Sequence, residues 1–133
     1  MKCTSFEISK KLAEIGFTGG GDTIYWYDPK GVLNYDQAGI YLTSKQQDEA
    51  ILAFDLETIL RILPSNLSIK RPKKIDNILL KGHYYLAWEP NSFYYGNGIL
   101  DDSFYCHNLV VETMADTAAR LLIKLAEQKI IQF

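Results

Sequence analysis

Little in this sequence marks an enzyme, a secreted protein or a membrane protein. It has two cysteines, Cys3 and Cys106, and neither sits in a C-x-x-C pair. A dense disulfide framework is therefore excluded, and two free thiols in a reducing compartment are expected. No apolar run approaches the roughly 20 residues that span a bilayer. The opening residues, Met1 to Glu7, place an acid where a signal peptide would begin its apolar stretch. A cytoplasmic protein with no membrane partner is the expectation. Charge of one sign is also missing. Fourteen Lys and Arg against 16 Asp and Glu leave a net charge of -2, which argues against a whole-protein grip on nucleic acid.

The motifs of catalysis are scarce too. There is no G-x-S-x-G elbow for a nucleophilic serine, and no Lys-Ser/Thr follows the glycines near residue 20 to meet phosphates and magnesium. Asp101, Asp102, Cys106 and His107 are competent metal ligands, but adjacent Cys106 and His107 point to opposite faces of a strand. No metal and no cofactor are expected. Cys106 and the distant His83 are the one conceivable nucleophile–base pair, the basis of a third reading as a small enzyme with an unrecognised site.

What the sequence does contain is an ordinary apolar fraction, 47%, and 17 aromatic residues gathered in two places. A chain of 133 residues is enough for one α+β domain spanning residues 1–133. Thr4 and Glu7 have capping-box spacing, and Ile8, Leu12 and Ile15 line one face of the helix that follows. Gly16 stands where a left-handed cap would end it. The glycine stretch then comes after a helix and before a strand, the reverse of a phosphate cradle, and is read as a connection.

Two hairpins with an acid–proline turn follow the same logic. One runs from Thr23–Tyr27 through Asp28-Pro29 to Val32–Tyr35, the other from Tyr85–Trp88 through Glu89-Pro90 to Phe93–Gly96. Together they predict one antiparallel sheet with N-terminal, short middle and C-terminal helices packed on it. Gly39–Ser44, Ile78–Leu80 and Ser103–Cys106 read as short strands, and Lys45–Ala50 as loop. Asp55 caps a middle helix that stops at Pro64. Ser65–Asp76 reads as an exposed connector carrying Lys70-Arg71-Pro72-Lys73-Lys74. Residues 109–112 fit either extended or helical structure. Thr113 and Asp116 open the C-terminal helix, whose stripe is Met114, Ala118, Leu121, Leu122 and Leu125.

Two candidate surfaces emerge. Tyr25, Tyr27, Tyr85, Trp88, Tyr94 and Tyr95 are too many aromatics for a small sheet to bury, and an exposed row of them marks an interface. This favours a non-catalytic accessory or interaction protein with a protein partner or a second copy. The basic loop 70–74 supports a nucleic-acid-associated alternative, with Lys70, Arg71, Lys73 and Lys74 as phosphate contacts.

The segments "CTSFEISKKLAEIGF", "AFDLETILRILP" and "ETMADTAARLLIKLAEQKII" resemble small uncharacterised proteins carried by bacterial phages and integrated mobile elements. That resemblance implies an intracellular bacterial protein and carries no site residues with it.

Overall fold

In the computed structural model, the described residues are 3–19, 25–35, 49–75, 78–96, 104–107, 109 and 112–133. They form an α+β fold of three helices and two antiparallel sheets. Helix α1 (Phe6–Glu14) leads to strands β1 (Tyr25–Tyr27) and β2 (Leu33–Tyr35), then β3 (Ile51–Ala53) and helix α2 (Leu56–Ile62). Strands β4 (Asn66–Ile75), β5 (Ile78–Glu89), β6 (Ser92–Gly96) and β7 (Phe104–His107) come next, and helix α3 (Met114–Glu127) follows them.

The helices start where side-chain oxygens can meet orphan amides. For α1 the cap is Ser5, whose hydroxyl accepts from the Ile8 amide, and not the expected Thr4. Thr4 is fully buried instead. Its amide donates to the Phe54 carbonyl at 2.9 Å, and its hydroxyl accepts from the Phe54 amide at 3.1 Å. Glu7 turns outward to Lys10. At the other end of α1, Gly16 has a φ of +84°, and Phe17 folds back so that its amide reaches the Leu12 carbonyl. Asp55 caps α2 and Thr113 caps α3, both as the sequence predicts. Leu109 and Glu112 lie outside α3.

The two hairpins form, but they do not share a sheet. The first joins a three-stranded sheet of order β2-β1-β3, and the second sits in a four-stranded sheet of order β4-β5-β6-β7. The separation arises because β1 gives its second edge to β3, a segment without hairpin signals. In the first turn the Asp28 carboxylate accepts from the amides of Lys30 and Val32, the Asx role expected of it.

The supposed connector after Pro64 is strand β4, a correction that follows from its place at the sheet edge. An edge strand has one unpaired side, so it tolerates lysines and even a proline. The register steps from Ile69 opposite Gly82 to Lys73 opposite Leu80, so Lys70, Arg71 and Pro72 bulge out against the single residue Lys81. Ile78–Leu80 is the start of the long strand β5, and the expected strand at 103–106 is β7. Residues 39–44 lie outside the described set.

The main core joins Ile8 and Leu12 of α1, Ile59 of α2, Leu80, Tyr84, Phe93 and Tyr95 of the larger sheet, and Leu121, Leu122 and Leu125 of α3. A smaller cluster packs Tyr27 and Ala53 against Cys3, with Phe6 alongside. Helices α1, α2 and α3 thus share one core with the inner side of the larger sheet.

Candidate binding surfaces

The six aromatic residues proposed as one face are divided by this architecture. Tyr27 and Tyr95 are core residues, which corrects their assignment to an exposed surface. The Tyr27 hydroxyl donates to the Thr4 carbonyl at 2.8 Å, and the Tyr95 hydroxyl donates to the Pro64 carbonyl at 2.8 Å. Each ring buries its area while its polar tip is satisfied. Burial, with the neighbouring Cys3 thiol second, pushes the Tyr27 phenol up to about 12, and burial alone raises that of Tyr95. Tyr25 is half-buried and belongs to the smaller sheet.

Tyr85, Trp88 and Tyr94 share the larger sheet. Strand alternation puts buried Tyr84 and Leu80 on the inner side of β5 and leaves Tyr85 on the outer side, 61% exposed. Tyr94, half-buried, is also on the outer side, because its neighbours Phe93 and Tyr95 turn inward. Trp88 has the parity of the inner face and pairs with buried Phe93, yet it is 65% exposed. It forms the lip of an apolar groove of about 450 Å³ with Leu56 and Leu60 of α2, Pro90, Phe93 and Met114. Glu89 sits on the same rim. The groove was not legible in the sequence, because Leu56 and Leu60 meet Trp88 only through the tertiary packing of α2.

The basic segment keeps its exposure but changes its character. Lys70, Arg71 and Lys74 project from β4, whereas the Lys73 ammonium donates to the Gln128 carbonyl at 2.7 Å. That lysine closes the end of α3, where exposed carbonyls and the helix dipole favour a cation. Its assignment to phosphate is corrected to that extent. Lys129, just past the end of α3, comes beside Lys70, Arg71 and Lys73 at the bulge.

The remaining ionisable groups are structural or apart. Cys106 pairs with Phe93 on the inner face, while His83 pairs with Ser68 and is exposed on the outer face. The sheet lies between them, so they do not make a nucleophile–base pair. Cys3 is buried too, and burial raises its thiol pKa. Among the described residues no group of three or more His, Cys, Asp or Glu could hold a metal ion, and Asp101 and Asp102 lie outside that set. Among the same residues, no helix is long and apolar enough to cross a membrane.

Two carboxylates, half-buried Glu112 and buried Asp116, secure α3. Glu112 takes a bidentate pair from Arg120 at 2.7 and 2.8 Å and a bond from the Thr117 hydroxyl. Burial alone would raise its pKa, but these bonds and the Leu109 amide outweigh it and hold it below the ordinary value. Asp116 accepts from the Ser5 amide at 2.7 Å, and burial leaves its pKa raised despite that bond.

Comparison with family models, with curated proteins and with solved structures finds no match for this chain.

Proposed function

We propose that this chain is a non-catalytic interaction protein that docks a protein partner beside Trp88. The observation that carries this reading is the exposed indole forming one wall of an apolar groove against α2. Tryptophan in such a setting supplies large contact area for little conformational entropy and is enriched at the energetic centres of interfaces. The groove accepts an apolar side chain. Glu89 on its rim favours a Lys or Arg beside that anchor, so the partner surface is apolar with a basic flank.

A pair of fluorescently labelled peptides tests this, one alternating Leu with Lys and the other Leu with Glu. The Leu/Lys peptide is expected to bind by anisotropy, to lose at least tenfold in affinity on Trp88→Ala, and to be rejected by Glu89→Lys. Equal binding to wild type and Trp88→Ala would discard the groove as the docking site. Light scattering over a wide concentration range covers a second occupant: a dimer abolished by Trp88→Ala would make the partner another copy of this chain.

A further inference from the structure

A surface cavity of about 200 Å³ lies at the β4 bulge, where the end of α3 meets the sheet edge. Its wall holds four cations, Lys70, Arg71, Lys73 and Lys129, together with Ser68, and none of its lining residues is acidic. Like charges gathered this closely repel one another, and that repulsion is relieved by a multivalent anion.

Two familiar structural reasons account for part of this cluster only. Lysines and a proline on an edge strand hinder strand addition by other chains, which covers Lys70 and Pro72. A cation at a helix C-terminus offsets the dipole, which covers Lys73. Neither covers Arg71, nor the backbone of Lys129. Among the described residues Lys129 is the one non-glycine with a positive φ, 59°. Its amide reaches the Ala126 carbonyl and the next amide reaches that of Leu125, so it occupies the left-handed position that glycine normally fills. A lysine there is a conformational penalty retained at the one place where its charge completes the cationic wall.

The cavity is smaller than the roughly 300–1,000 Å³ of sites that enclose a whole small ligand. It therefore suits one group of a larger molecule. The charge also runs on beyond it, to Lys74 two residues past the bulge and Lys81 opposite it. Strands β4 and β5 carry five of the chain's 14 Lys and Arg against one carboxylate, Glu89, although the whole chain is acidic. Farther along β5, exposed Tyr85 offers a ring to an unpaired base. We infer that the bulge is a phosphate-binding site for single-stranded nucleic acid, with Lys70, Arg71 and Lys129 gripping the backbone. This site is separate from the Trp88 groove and does not depend on it.

The test is anisotropy of a labelled single-stranded oligonucleotide with the full chain at rising salt, with pyrophosphate titrated in parallel. The oligonucleotide is expected to bind at low salt with an affinity that falls log-linearly as salt rises. Lys129→Gly is the decisive variant, because it removes a cation and relieves the backbone, so the melting temperature is maintained or raised. It should weaken binding severalfold and reduce the salt slope by about one. Lys70→Ala with Arg71→Ala should weaken binding further, while Trp88→Ala leaves it unchanged. No oligonucleotide binding at low salt, or equal binding by wild type and Lys129→Gly, would overturn the proposal. Binding of pyrophosphate without the oligonucleotide would overturn the nucleic-acid assignment.

Discussion

The hydroxyl of Tyr84 accepts a hydrogen bond from the amide of Lys81 at 2.8 Å and donates one to the carbonyl of the same residue at 3.0 Å. One side chain thus satisfies both backbone groups of the residue that faces the β4 bulge. Next to it, Gly82 has a φ of +104°, a conformation that a side-chain-bearing residue adopts only under strain. The irregular stretch of β5 is held by this pairing of a buried phenol with a glycine.

Tyr84→Phe keeps the ring in the core and removes only that hydroxyl. Two backbone groups lose their partner, and the loss should be about 1–3 kcal/mol. Denaturant titration gives the magnitude. Hydrogen exchange should show the Lys81 amide losing protection while that of Leu122 in α3 changes only with global stability.

The Glu112–Arg120 pair is a stronger stability determinant than the exposed pairs of α1 and α2. The Glu112 side chain is 9% exposed and that of Arg120 22%, so removing the arginine strands a largely buried carboxylate. Arg120→Met should destabilise by about 3 kcal/mol, and adding Glu112→Gln should recover part of it. Breaking the exposed Arg61–Glu57 pair should cost less than about 1 kcal/mol. Thermal melts of the variants compare them directly.

The same carboxylates set opposite pH dependences. Glu112 has a folded pKa below its ordinary 4.5, so its contribution is present above 4.5 and is lost as pH falls through the folded value. Asp116 has a folded pKa above its ordinary 3.8. Its contribution is present below 3.8 and is lost as pH rises through the folded value. Glu112→Gln should therefore flatten the acid-side loss of melting temperature, and Asp116→Asn should steepen it. Melts from pH 6 down to pH 3 would show both slopes, and parallel curves for the two variants would contradict this assignment.

Thr4→Val preserves shape and deletes a buried hydroxyl that accepts from the Phe54 amide and bonds Ser9 at 2.7 Å. A cost of about 1–3 kcal/mol is expected. Ser5→Ala loses the α1 cap and the hydroxyl's bond to Asp116, with a cost of about 1 kcal/mol expected. The order of the two effects in denaturant unfolding checks which of the neighbouring hydroxyls is the structural one.

Those neighbours also show what a sequence conveys. Thr4 and Ser5 are both competent caps, and only contact with Phe54, fifty positions later, takes Thr4 away from that role. Local chemistry was sufficient for Asp55, Thr113, Gly16 and both hairpin turns, since each is determined by residues within a few positions. Sheet membership was not legible, because β3 has no turn signal and β1 selects it through long-range packing. For the candidate surfaces, alternation puts Tyr25 and Tyr27 on one side of their strand but does not say which side the helices would cover. The basic run looked like loop because exposed charge and Pro72 are common to loops and edge strands alike. Lys129 carried no local signal beyond its charge; its importance lies in a backbone angle and in neighbours from β4.

The bond from the Ser5 amide to Asp116 joins positions 111 residues apart, and Thr4 is already committed to Phe54. On a ribosome, the start of α1 has no lasting partner for its amide until the first turn of α3 has emerged. Such high contact order slows folding, because loop closure precedes its reward. The inner side of the larger sheet, which ends with β7, lacks its covering helix until α3 emerges, and for that interval its apolar surface is open to misassembly.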